Sequence, residues 1–556
     1  MSTAFATTLA TSERRPASRG GGLGPLVRMV WADVLDRTRR PGYLVSLLIM
    51  LWLGQHMLPP NGASYRTFTL DDVYRPVYNS AWVGTVTAML TGIWFLFIGF
   101  YLVKGSVERD RRTGVGQVLA ATRVSTLTYL WARTLGNLAV FGSQALMVVV
   151  AALIQQQLLG EDRRVDVLAT LAPFATLTFP LALFAAASAV LFDCVRFLRG
   201  GLGNIAWFFV LPLVMAVGRV DDPGGSMWAD LTGTRVVVED VRREMLAQHP
   251  DAAVRPQEIS MGVNFNPRFR DRGAVTFEWR GVQPDARVMA SRVPWLLLPA
   301  AIVFAAALFF DRFDATARSG VRTPDQPRWP LAPRVRAPAA ANSVSISASR
   351  LTVARRGPAF VGVVRAELAL LLKGMSPWWY IGMLGFLIAE LVVPLDGVKR
   401  IVLPLASFWP ALMWSALGHR EREQGVAGVL FSCPRPVQQL LPAAWLAGAI
   451  VMLLAGAPAL VRLGGAGDSA ALLGWLLCAA IVPALALASG VWTGSAKAFE
   501  VLYLFAWYVG PMHQLAEVDY TGVTALRSAT LWAVYGALTL ALFALAVWGR
   551  SREARR

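Results

Sequence analysis

Runs of roughly 20 uninterrupted apolar residues recur from one end of this chain to the other. A helix needs about that length to cross the hydrocarbon core of a bilayer. Inside lipid every backbone polar group must be satisfied within the fold, which confines spanning segments to helices or closed barrels. Twelve windows fit the pattern, near 43–59, 81–103, 134–158, 167–192, 202–218, 294–310, 376–395, 401–417, 443–461, 469–492, 498–512 and 529–548. Composition agrees, since 55% of the 556 residues are hydrophobic and 16% charged, against about 25% charged in a soluble domain. The expected fold class is an all-α polytopic membrane protein with about 12 transmembrane helices.

The net charge of +18 raises the question of nucleic acid, and its distribution answers it. With the N-terminus placed inside, roughly two thirds of the 53 Lys and Arg fall in the inner connections. Much of the rest lies in one long external loop, 219–293, and loops of that length carry little topological weight. The positive-inside rule then sets both termini in the cytoplasm. The basic excess orients the chain and favours anionic lipid, so membrane lipids are expected partners and nucleic acid is not. Residues 1–25 are polar, include Arg14, Arg15 and Arg19, and lack an apolar h-region, so no cleavable signal is expected. Three widely spaced cysteines, Cys194, Cys433 and Cys478, form neither a disulfide framework nor a CxxC metal site.

Six windows precede and six follow a stretch rich in Pro, Arg, Ala and Ser, residues 313–358, which reads as a flexible cytoplasmic linker. The expected organisation is a first six-helix half at 1–312, the linker, and a second half at 359–556. Internal similarity supports a 6+6 duplication. SVERDRRTGVGQVL (106–119) is echoed by HREREQGVAGVL (419–430), with Gly114 and Gly425 set 311 residues apart. Before each first window stands a similar approach, VRMVWADVLDRTRRPGY (27–43) and VVRAELALLLKGMSPWWY (363–380), offset by about 334. Both approaches suit helices lying in the membrane interface. The offset shrinks along the chain because the first external loop, about twenty residues longer in the first half, is reduced to DGVKR in the second.

The charged strings come after the second window of each half, on the cytoplasmic side. About 18 residues then separate each from the third window, enough for a short extra helix. Glu108, Arg109, Asp110, Arg111 and Gly114 in the first half, with Arg420, Glu421, Arg422 and Gly425 in the second, would present a surface for another protein to grip.

This arrangement resembles the permease subunit of type-2 ABC transporters, with two six-helix halves fused in one chain. That family has an interfacial elbow helix before the first span and a coupling helix between the second and third. The resemblance implies a bacterial inner-membrane exporter whose halves rock around a central path. It also implies that the nine residues just named couple the permease to two copies of a separate nucleotide-binding subunit, where ATP and Mg bind. The chain itself is expected to hold no cofactor and no catalytic residue. Its four lysines, Lys104, Lys373, Lys399 and Lys497, do not follow a glycine, so no GxxxxGK[ST] phosphate loop exists. The second string departs from the first where His419 replaces Glu108 and Glu423 replaces Arg112. Pro434 and Pro436 also interrupt the amphipathic segment of the second half.

Other residues bear on function. Glu390, within MLGFLIAELVVPL, is an intramembrane carboxylate and a candidate for the substrate path, with snorkelling to water as the alternative. Lys497 and Glu500 are spaced for a local ion pair. In the loop 219–293, RVVVEDV, EISMGVNF and AVTFEWRGV are β-rich runs that suggest a small extracytoplasmic subdomain. Asp71-Asp72 in the first external loop resembles the acidic loop of membrane glycosyltransferases that use polyprenyl-phosphate sugars. The charged string partly resembles the loop motif of major-facilitator secondary transporters through Gly105, Asp110, Arg111 and Gly114, but misses its spacing. The four histidines show no paired spacing, so no metal site is expected.

Overall fold

The computed structural model describes residues 23–39, 41–59, 65–70, 73–216, 226–251, 259–265, 275–282, 285–313, 359–373, 375, 377–432, 435–512, 519–521 and 528–554. Asp71, Asp72, Cys433, Pro434 and all of the linker except Phe313 lie outside them. The chain is an all-α membrane protein. Among the described residues seven helices are long and apolar enough to cross a bilayer: Ser80–Arg112, Thr126–Leu159, Val167–Cys194, Ala286–Phe309, Pro436–Ala455, Ser469–Thr493 and Ala529–Ala554.

The other five windows are shorter or broken. Tyr43–His56 and Gly201–Leu213 are apolar but short, and Pro377–Val392 pairs with Phe360–Lys373 across a 103° bend. The window 401–417 divides into Leu403–Phe408 and Ala411–Trp414, with Pro410 at the break. The window 498–512 ends in a π-helical turn, Tyr508–Met512, that contains Pro511. A proline inside a helix removes a donor and clashes with the preceding turn, which hydropathy alone does not register. Similar π-turns span Phe95–Gly99, inside the window 81–103, and Val398–Val402, at the start of the window 401–417.

The chain forms two compact units, residues 1–199 with 209–320, and residues 200–208 with 321–556. In the first, Val107, Leu130, Val190 and Val303 share one buried cluster. A second cluster gathers Phe68, Trp82, Val241 and Trp279 beneath a four-stranded sheet. The sheet comprises β1 (Tyr65–Leu70), β2 (Tyr74–Pro76), β3 (Ile259–Phe265) and β4 (Val275–Phe277), in the order β3-β1-β2-β4. β1 pairs antiparallel with β3, whereas β2 and β4 run parallel. Two strands therefore come from the first loop and two from the loop 219–293.

Of the three runs read as β-rich, RVVVEDV is helical, lying within Thr234–Gln248. Three β-branched residues in a row favour a strand locally, but Val237, Val241 and Met245 repeat at helical spacing and all are buried. Asp230 secures the helix start by accepting the N–H groups of Gly233 at 2.9 Å and Arg235 at 2.7 Å.

In the second unit the core is aromatic. Trp414, Trp475, Phe499, Tyr503 and Trp507 are almost wholly buried in one cluster. Several of their polar atoms are used: Trp414 Nε1 donates to the Gly448 carbonyl at 3.2 Å, Trp507 Nε1 to Pro404 at 2.7 Å, and the Tyr503 hydroxyl to Ser407 at 2.6 Å. Aromatic side chains with a satisfied polar end tie adjacent helices where burial of apolar area gives no driving force against lipid.

Candidate functional site

Each unit gathers its charged string, its approach helix and one further helix into a network of ion pairs. In the first unit the backbone turns at Gly105, with φ of 95°, inside the span Ser80–Arg112, and the string forms its last helical segment, Ser106–Arg112. Asp193, 1% exposed, holds its start by accepting the N–H groups of Gly105 at 2.9 Å and Val107 at 3.1 Å.

The hub of this network is Asp33, on the approach helix Leu23–Thr38. Its side chain is fully buried and meets three guanidinium groups. Arg37 lies at 2.9 Å, Arg109 of the string at 2.7 Å, and Arg133 at 2.7 Å. Arg133 also reaches Asp110 at 2.6 Å, and the Tyr129 hydroxyl donates to the same Asp110 oxygen at 2.6 Å. Gly136 admits Asp33 to the helix Thr126–Leu159, since a Cβ there would collide with the carboxylate. Asp36 pairs with Arg109 at 2.8 Å, so three carboxylates face three guanidinium groups. Burial first, then the neighbouring Arg109 and Arg133 charges, lower the Arg37 pKa despite Asp33. Thr126–Leu159, with 34 residues, extends over about 51 Å at 1.5 Å per residue, well beyond a hydrocarbon core of about 30 Å. The network at its first turns can therefore sit outside the lipid tails.

The remaining members of the first string are nearer the surface. Glu108 and Arg112 pair with each other at 3.1 Å. Arg111 stacks over the Phe313 ring at 5.8 Å. Gly114, with φ of 77°, ends the string and opens the short helix Val115–Ala120, on which Val115 and Val118 are exposed.

In the second unit Glu367, on the approach helix Ala359–Lys373, accepts from Arg420 at 2.6 Å. Glu421 pairs with Arg550 at 2.9 Å, and Arg422 with Glu553 at 2.9 Å. Arg550 also donates to the Gly418 carbonyl at 3.2 Å. Gly425, with φ of 68°, precedes the short helix Ala427–Phe431, and Val426 and Val429 are exposed. Asp33 and Glu367 are 334 residues apart, Arg109 and Arg420 are 311, and Asp110 and Glu421 are also 311. Those are the two offsets that relate the approach segments and the charged strings.

No family model matches the chain, and no curated protein matches its sequence.

Of the residues expected to couple, Arg109, Asp110, Arg420, Glu421 and Arg422 enter the networks, while Glu108, Arg111, Gly114 and Gly425 flank them. Asp33, Arg133, Glu367, Arg550 and Glu553 are members that the strings do not reveal. Asp33 and Glu367 were detectable as the acids that coincide when the approach segments are aligned. Arg133 and Arg550 lie on long helices with no local signal. Glu390 is separate: it is fully buried, not snorkelling, and accepts the Ala459 N–H at 3.1 Å near the start of Ala457–Gly465. A carboxylate at a helix start satisfies a free donor and complements the dipole, which is a structural occupation. Glu500 accepts a hydrogen bond from Asn204 Nδ2.

Proposed function

We propose that the chain is the permease of an ATP-driven transporter of the type-2 ABC kind, an exporter with two six-helix halves in one bacterial inner-membrane protein. Two copies of a separate ATP-binding subunit would dock on its cytoplasmic face, where the charged strings and short helices stand. The observation that carries this reading is the repeated network. In each half an acid of the approach helix holds the first arginine of the string, and the string's own acid holds an arginine of another helix. Such a network lets a push on the short helix reach the spanning helices instead of being lost in a loop, because packed, ion-paired elements move together.

The charged residues are then transmitters, and the exposed valines beyond each left-handed glycine form the docking surface. The test is co-purification of the full-length protein from its native membrane, read as stoichiometric recovery of an ATPase. Val118→Glu and Val429→Glu together should cut that recovery on the order of tenfold, because a buried charge at an interface is costly, and leave the amount of folded permease unchanged. If the unaltered protein brings down no ATPase, the reading fails.

A further inference from the structure

The helix Ala286–Phe309 begins at Asp285, whose side chain accepts the Val288 N–H at 2.7 Å. Arg292, less than two turns further on, is 4% exposed. Its Nε donates weakly to Ser291 Oγ at 3.3 Å, while Nη1 and Nη2 make no hydrogen bond among the described residues. Asp230 stands 3.9 Å from Nη2, at the outer limit of an ion pair, and its carboxylate is already occupied by the Thr232 hydroxyl and the N–H groups of Gly233 and Arg235. Four donor hydrogens on a buried cation are thus left without acceptors. Burying a charged group in that state is expensive unless something supplies the missing bonds.

Arg292 lines a partly open cleft. Its walls are apolar, formed in part by Leu177, Val237 and Val288, and among the described residues no carboxylate lines it. A second guanidinium, the exposed Arg280, contributes to the lining. Depth narrows the choice of occupant. Arg292 lies about 9 Å along its helix at 1.5 Å per residue, and the apolar window 294–310 starts two residues later. With the acyl region taken to begin at that window, the cleft lies at the level where lipid headgroups give way to acyl chains. A guanidinium fork matches phosphate oxygens bidentately, and an acyl chain matches the walls.

We propose that this cleft holds an anionic membrane phospholipid, its phosphate between Arg292 and Arg280 and the start of an acyl chain along Leu177, Val237 and Val288. Such a lipid site is independent of the transport reading, and its test uses no ATPase. Full-length protein in nonionic detergent is titrated with phosphatidylglycerol, phosphatidylcholine or inorganic phosphate, following retained lipid by native mass spectrometry and the thermal midpoint. Phosphatidylglycerol should be retained and raise the midpoint, phosphatidylcholine should do so far less, and inorganic phosphate should do neither. Arg292→Gln should weaken phosphatidylglycerol retention on the order of tenfold, and Arg280→Gln by less, in keeping with charge-assisted bidentate bonding. Val288→Trp, at a half-buried position of the lining, fills the cleft without altering charge and should also abolish retention, which keeps the test valid if Arg292→Gln does not fold. Equal retention of the two lipids, phosphatidylglycerol retention unaffected by Arg280→Gln and Val288→Trp, or inorganic phosphate matching the lipid would each overturn the proposal.

Discussion

The two charged networks use the same first two bonds and a different third helix. In the first unit, Arg133 joins Asp33 and Asp110 directly, so approach helix, string and the helix Thr126–Leu159 meet around one guanidinium. In the second, Glu367 and Glu421 bond separate arginines, and the helix recruited through Arg550 and Glu553 is Ala529–Ala554. The first is a single hub, and the second is a chain of pairs. A hub concentrates its stability in one fully buried carboxylate, while a chain spreads it over several partly exposed pairs. Sequence divergence between the strings is consistent with this, since His419 in place of Glu108 and Glu423 in place of Arg112 leave the Arg-acid-Arg centre untouched.

The hub-and-chain distinction is tested first by removing the two equivalent acids. Asp33→Asn leaves three guanidinium groups around a neutral side chain, and removing one member of a buried ion pair costs about 3–5 kcal/mol. Glu367→Gln removes the acid opposite one partly exposed arginine, where a charged hydrogen bond is worth about 1.5–3 kcal/mol. The thermal midpoint of each full-length variant in detergent should therefore fall further for Asp33→Asn. Equal losses would show that the first network is not a hub.

Next in size is Arg550→Gln. It breaks the bond to Glu421 and the bond to the Gly418 carbonyl, and leaves Glu553 with Arg422 alone. A loss of about 2–3 kcal/mol is expected from the charged hydrogen bonds, and limited proteolysis should open the second string before the first. Preferential cleavage within 106–120 instead would contradict the assignment of Arg550 to the second network.

Much of this was legible in the sequence, and the boundary of what was not has physical causes. The membrane class followed from apolar windows, and the strings from charge set beside them. The irregular windows were not visible, because hydropathy averages over proline breaks such as Pro410 and over π-turns such as Phe95–Gly99. The sheet was half visible: β3 and β4 stand in runs rich in strand formers, but pairing β1 with β3 across almost two hundred residues leaves no local trace. Thr234–Gln248 was misjudged because its three consecutive valines outweighed the 237/241/245 stripe. For the networks, the string arginines were evident, yet their partners were not. Nothing in the neighbourhood of Arg133 or Arg550 announces that a carboxylate over twenty or over a hundred residues away will meet it.

The smallest effect is expected at the two glycines that end the strings. Gly114 and Gly425 both have positive φ, and among the described residues a Cβ at either would meet no atom within 4 Å. Alanine there costs only the left-handed backbone, about 1 kcal/mol, and that cost should be the same in both units. Gly418 provides the control: it too has positive φ, but its Cβ would stand 2.7 Å from the Leu487 carbonyl oxygen, so Gly418→Ala adds a steric conflict to the backbone term. The expected order of thermal destabilisation is Gly418→Ala above Gly114→Ala and Gly425→Ala, with the last two indistinguishable. A Gly425→Ala loss well beyond that of Gly114→Ala would mean that the second turn is packed against something the first is not, and the two short helices would then not be equivalent docking elements.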